Sequence, residues 1–224
     1  MNKIVKLMSR ALLVMAMMST SCTKQTITEP DKKVVILGDS NVRRIIFYSS
    51  WGAELGMNDV VSLGFDGYAS SNLIYTGNPT PLAQAIAEDP DIVYLSVGGN
   101  DVFGKVAPEV IMANIKIICD SLIAEGIPVV VTSMLSQIKS RNDFYKNQSP
   151  SYDFNQKFLE ANAALLQLCV DNGYEMMDTR PYLCVRDSAN IWELADEFSS
   201  DGIHLNLDGY QQWTIPLSYS INHH

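Results

Sequence analysis

Histidine is scarce in this chain: three in 224 residues, two of them the terminal His223 and His224. Any chemistry that needs an imidazole inside a fold therefore depends on His204. Cysteine is nearly as sparse, at Cys22, Cys119, Cys169 and Cys184, and no CxxC pair occurs. That lack weakens a zinc or dithiol-redox framework. Beyond Cys22 the count is odd, so at least one thiol is unpaired. The three read as small buried hydrophobes, with a Cys169–Cys184 disulfide as the alternative in an oxidising compartment. Positive charge is also short: 16 basic residues stand against 25 acidic ones, for a formal charge of -9. Such a surface repels phosphate backbones, so nucleic acid is not expected as a partner. There is no internal repeat, no low-complexity tract, and beyond Cys22 no apolar run long enough to cross a bilayer.

What is present begins with a targeting pattern. Lys3, Lys6 and Arg10 form a basic start, Ala11 to Met18 an apolar stretch, and Ser19-Thr20-Ser21 a run of small residues before Cys22. Residues 1–21 read as a signal peptide. The small residues before Cys22 resemble a loose lipobox, with Ser19 where leucine is usual. The resemblance implies lipidation at Cys22, a polar tether over 22–32, and one domain over 33–224 held at a bacterial cell envelope through a membrane anchor, periplasmic or outer-surface. Ordinary secretion and an uncleaved anchor are the alternatives. No oligomeric state follows from the sequence.

Within the domain, Val34–Leu37, Val60–Leu63, Ile92–Val97 and Val129–Thr132 are short runs nearly continuous in Val, Ile and Leu. Strands buried on both faces have this look, which predicts a parallel sheet. Tyr174–Met177 is a weaker fifth strand. Between the strands, Ile111, Ile115, Ile118 and Leu122 recur at helical spacing, as do Phe154, Phe158, Ala161, Leu165 and Leu168. Alternating strand and helix predicts an α/β sandwich. Residues 133–150 lack either period and are expected as a long irregular loop, a candidate lid or specificity element.

Four polar clusters punctuate these elements: Gly38-Asp39-Ser40 after the first strand, Gly64 to Gly67 after the second, Gly98 to Asp101 after the third, and Ser199 to His204 beyond the fifth. In a parallel sheet the carboxyl ends of all strands share one edge, where ligands bind. A serine hydroxyl becomes a nucleophile when a base takes its proton, and Ser40 with His204 fits that need. Asp201, three residues before His204, is placed to orient the ring. The backbone N–H of Ser40 and of Gly67 and the side-chain amide of Asn100 are candidate donors to a developing oxyanion. Gly64 competes with Gly67 for that role. Asp39 and Asp101 read as braces for their loops, Arg43 and Arg44 as a solvated helix face, and Trp51, Trp192 and Trp213 as packing residues. Asp201 and His204 lack the further ligands a metal site requires.

The four clusters, in this order, resemble the motif blocks of the SGNH hydrolases, the GDSL-like lipase/esterase superfamily, over about Val34 to Ser220. The resemblance implies a three-layer α/β/α sandwich with a parallel five-stranded, flavodoxin-like sheet. It implies Ser40 as nucleophile, His204 as base, Asp201 as orienter, an oxyanion hole from Ser40, Gly67 and Asn100, and neither metal nor cofactor. Three positions depart from the usual pattern: Ser62 where asparagine is common, Leu205 in place of the proline after the histidine, and Asn41 as the fourth residue of the first block. The expected activity is that of a serine esterase acting through an acyl-serine on small-molecule or glycan esters, with short-chain or carbohydrate O-acetyl groups favoured. A lysophospholipase or thioesterase on longer chains, and a non-catalytic carbohydrate- or envelope-binding module, are the alternatives.

Overall fold

The computed structural model describes residues 32–47 and 59–224. The expected signal peptide, Cys22, nearly all of the tether, and Trp51 lie outside the described residues. Strands β1 (Val34–Gly38), β2 (Val60–Gly64), β3 (Ile92–Ser96), β4 (Val129–Thr132) and β5 (Glu175–Met177) form one sheet in the order β2-β1-β3-β4-β5. Every pairing in it is parallel. The chain leaves β1 in one direction to make β2, then crosses back to place β3 on the other side of β1. That reversal opens a crevice at the carboxyl ends of β1 and β3, where a binding site is expected.

The helices cover both faces. Successive side chains of a strand point to opposite sides, and β1 divides accordingly. Val35 and Leu37 join one core with Ile111, Ile115, Ile118 and Leu122 of α5 (Pro108–Ala124) and Phe158, Ala161 and Leu165 of α7 (Phe154–Asn172). The short helices α2 (Ser70–Tyr75) and α3 (Pro81–Ala87) cover the same face through Leu73, Leu82 and Ala85. Val34 and Ile36 join the other core with Val42 and Ile45 of α1 (Ser40–Ile45) and Tyr210, Trp213 and Leu217 of α9 (Leu207–Ile221). The expected three-layer α/β/α sandwich is what forms. Among the described residues no helix is long and apolar enough to cross a membrane.

Two features differ from expectation. Residues 133–150 are not irregular throughout: Lys139–Gln148 is a helix, α6. Its sequence is polar around most of its surface, so no apolar period betrays it. An i,i+4 ion pair from Lys139 to Asp143 (3.1 Å) and a bond from Asn142 Nδ2 to Asp153 Oδ1 (3.0 Å) hold it in place. A two-stranded antiparallel ribbon, β6 (Cys184–Arg186) and β7 (Trp192–Leu194), follows the four-residue helix α8 (Arg180–Leu183), and its strands are too short to show alternation. The cysteines Cys119, Cys169 and Cys184 are free and buried. Cys169 belongs to one core and Cys184 to the other, so the sheet separates them and the disulfide alternative is excluded.

Candidate active site

The last residue of β1, Gly38, has no room for a side chain: an added Cβ would lie 2.0 Å from the Ser96 carbonyl oxygen. Asp39 then caps α1, its Oδ1 accepting the Asn41 N–H at 3.0 Å. Ser40 is the first residue of that helix and is nearly buried, at 8% exposure. Helix α1 lies directly on β2. Ser62 Oγ donates to the Val42 carbonyl (2.9 Å), and a Cβ on Gly64 would come within 1.9 Å of the Arg43 nitrogen. Close packing therefore explains Gly64, the rival of Gly67, and Ser62 has a structural task in place of the more usual asparagine.

His204 lies on the loop before α9. Asp201 folds this loop into an Asx turn, with Oδ1 accepting the N–H of Ile203 (2.9 Å) and of His204 (2.8 Å). Its Oδ2 is 2.6 Å from His204 Nδ1, and His204 Nε2 is 3.0 Å from Ser40 Oγ. A carboxylate only accepts, so Nδ1 carries the ring proton and Nε2 faces the serine as an acceptor. Partial burial works to raise the Asp201 pKa. The His204 N–H and ring, and the Ile203 N–H, outweigh it and bring the group down to about 2. The sequence-predicted Ser40, His204 and Asp201 are thus brought together in the order the chemistry requires.

Asn100 sits in α4 (Gly99–Phe103), entered through Gly98 at φ 114, a conformation that L side chains rarely adopt. Asn100 Nδ2 donates to the Tyr68 carbonyl at 3.0 Å, and its second N–H is left for the cavity that Asn100 lines beside Ser40. Gly67 occupies the turn after β2 at φ 73 and is not among the residues lining that cavity; the Asn100–Tyr68 bond ties its turn to the site. Among the described residues neither the Ser40 N–H nor the Gly67 N–H has an acceptor. Both amides are free to donate.

The cavity is about 40 Å³ and is walled by Phe103, Met134, Leu135, Leu205 and Trp213, with Asp39, Ser96 and Ser133 adding polar surface. Asp39 is buried here. Loss of hydration, reinforced by the negative charges of Asp101 and Asp66 and opposed by the Asn41 N–H, raises its carboxyl to about 7. Asp101 braces α4, its two oxygens accepting the Ser70 N–H (2.7 Å) and hydroxyl (2.8 Å), while Asn114 Nδ2 donates to the same Ser70 oxygen (3.0 Å).

Two residues close to Ser40 do more than the sequence disclosed. Asn41 Oδ1 accepts the Leu205 N–H (3.2 Å), and its carbonyl accepts the Tyr210 hydroxyl (2.7 Å). Asn41 thereby clips the segment carrying His204 to the one carrying Ser40. A proline at 205 would have no N–H to give, so two departures from the usual motif meet in one bond. Arg44, expected on a solvated face, places Nη1 3.5 Å from Asp201 Oδ2. Its only signal in the sequence was its spacing of four from Ser40, which puts both on one side of a helix.

Residues 36–212 match the GDSL-like lipase/acylhydrolase family. The chain belongs to that family. It is therefore an ester-hydrolysing serine hydrolase of the SGNH superfamily. No curated protein matches it. Among solved structures, a GDSL-like lipase from Bacteroides thetaiotaomicron aligns with a TM-score of 0.68 at 19% identity, over 86% of this chain and 88% of that one. An acetyl xylan esterase aligns at 0.64 and 18%, over 84% and 98%. The inhibitor-bound aryl esterase of M. smegmatis aligns at 0.64 and 13%, over 86% and 99%. These likenesses establish that the GDSL-like chain has the family's fold; they do not transfer a substrate.

Proposed function

We propose that Ser40 is the nucleophile, His204 its general base and Asp201 the group that orients the ring, with the Ser40 and Gly67 amides and Asn100 Nδ2 binding the oxyanion. The observation that carries the proposal is the contact of 3.0 Å between His204 Nε2 and Ser40 Oγ, continued by 2.6 Å from Nδ1 to Asp201. Ser40 attacks the ester carbonyl while its proton passes to His204. The ring returns that proton to the leaving alcohol, leaving an acyl-serine. Water, deprotonated by the same nitrogen, then releases the acid and restores the serine.

We further propose a short acyl group, acetyl above all, carried on a carbohydrate. The small pocket of about 40 Å³ beside Ser40, walled by Phe103, Met134 and Trp213, supports this. Lipidation at Cys22 and attachment to a cell envelope complete the proposal; they rest on the basic start, apolar stretch and small residues that precede Cys22. A series of p-nitrophenyl esters from acetate to palmitate tests the acyl preference, and acetylated glycans test the alcohol. Turnover that falls steeply beyond a few carbons is expected; a preference for palmitate replaces the proposal with the long-chain reading. Ser40→Ala is expected to fold and lose nearly all turnover. A wild-type chain that hydrolyses no ester and leaves Ser40 unlabelled by a fluorophosphonate would favour a binding module. Metabolic labelling with a fatty-acid analogue, lost in Cys22→Ala, checks the anchor.

A further inference from the structure

We propose that Arg44 is a positioning residue that acts through Asp201 on the charge of the His204 ring, an inference that rests on the roles proposed above for Ser40, His204 and Asp201. The carboxylate of Asp201 is fully engaged. Oδ1 holds two backbone N–H groups, and Oδ2 faces both His204 Nδ1 at 2.6 Å and Arg44 Nη1 at 3.5 Å. The guanidinium and the ring therefore share one oxygen from two different segments. Arg44 is set by α1, the same six-residue helix that begins with Ser40, so nucleophile and cation move together.

The physical consequence concerns the step in which His204 takes the serine proton. The ring becomes a cation beside a second, permanent cation. Arg44 disfavours that form while it helps hold the carboxylate in line. Two like charges separated by about 6 Å near a protein surface interact by an amount that moves a titration by roughly half a pH unit in a water-like dielectric. The two side chains Arg44 and Asp201 are about half exposed, at 40% and 46%, so salt should weaken the effect.

The other charged groups around the ring are common to wild type and variant. Asp39 lies behind Ser40, Arg43 lies on α1, Asp208 opens α9, and Arg141 of α6 lies against Gly202. Comparison of variants subtracts them, including Asp39, which titrates near 7.

The test is the pH profile of kcat/KM for the full chain with p-nitrophenyl acetate, a neutral ester, read in parallel as the pH dependence of fluorophosphonate labelling of Ser40. In Arg44→Gln the acid limb is expected to move up by about 0.3–0.5 pH unit at low ionic strength. Arg44→Lys, which keeps the charge, is expected to stay within about 0.1 unit of wild type, and the gap between wild type and Arg44→Gln is expected to close in about 1 M salt, where the Debye length is about 3 Å. Coincident acid limbs for wild type and Arg44→Gln, with Ser40 still labelled in both, overturn the inference and leave the triad standing. Hydrolysis that persists in Ser40→Ala overturns the triad and this inference with it.

Discussion

The dense hydrogen bonding around Ser40 makes single residues there accountable in different measurements. Asn41 supplies one acceptor to the Leu205 N–H. One such bond contributes about 0.5–1.5 kcal/mol, so Asn41→Ala is expected to lower kcat/KM about three- to tenfold, mostly in kcat, because the segment bearing His204 is less well held against Ser40. Steady-state kinetics on a short ester check it. Asp39 makes a pH signature instead. Its carboxyl rises from the ordinary 3.8 to about 7 in the fold, chiefly because it is buried. Between those values the unfolded chain releases the proton and the folded chain keeps it, so the contribution of Asp39 to stability is greatest below pH 3.8 and is lost as pH rises toward 7. Asparagine at 39 can still cap α1 but does not ionise. Urea unfolding from pH 4 to pH 8 should show wild type losing stability relative to Asp39→Asn across that window, with no further divergence above it. Asp201 has the opposite sign: held down near 2, it stays ionised throughout the same range.

At the scale of elements, the placement of Ser40 depends on α1 lying flat on β2. Gly64 permits this, since a Cβ there would sit 1.9 Å from a backbone nitrogen of α1. Gly64→Ala is expected to cost about 1–3 kcal/mol through overpacking, and to reduce turnover as α1 lifts. Gly67→Ala is the contrast. Its added Cβ meets nothing within 4 Å, and only the φ of 73 opposes it, so a smaller loss, about 1 kcal/mol, is expected. Urea denaturation of the two variants side by side decides the order. The elements also show where periodicity informs and where it fails. Helices α5 and α7 announce themselves because one face of each is apolar and buried. Helix α6 does not, because ion pairs and amide bonds hold a polar segment that has no apolar stripe to display. Helix α4 has five residues, and β6 and β7 three each, too few for any period to emerge.

For the whole molecule, the two cores on either side of the sheet determine the chemistry of the thiols. Cys119 and Cys169 lie on one side and Cys184 on the other; burial raises the three to about 12, about 11 and about 12. Thiolate is the reactive form. A maleimide at pH 8 is therefore expected to leave Cys119, Cys169 and Cys184 unmodified in the native protein and to label all three once denaturant unfolds it. Peptide mass spectrometry reads the outcome; rapid native labelling at any of the three contradicts the packing described.

The sequence by itself determined the sheet and the cast of the site. Four runs of β-branched and aliphatic residues can be buried only between two layers, and the polar clusters that end strands must then share one edge. Ser40, Asn100, Asp201 and His204 were legible for that reason, and Asp39 and Asp101 as braces for the same reason. What only the tertiary structure decided is everything that depends on distance between segments remote in sequence. The Asn41–Leu205 bond spans 164 residues, the Arg44–Asp201 pair brings together α1 and the loop before α9, and Gly64 matters because another segment's backbone lies against it. Local pattern reports which side of an element faces the core; it carries no term for which side chain of a distant element will be met there.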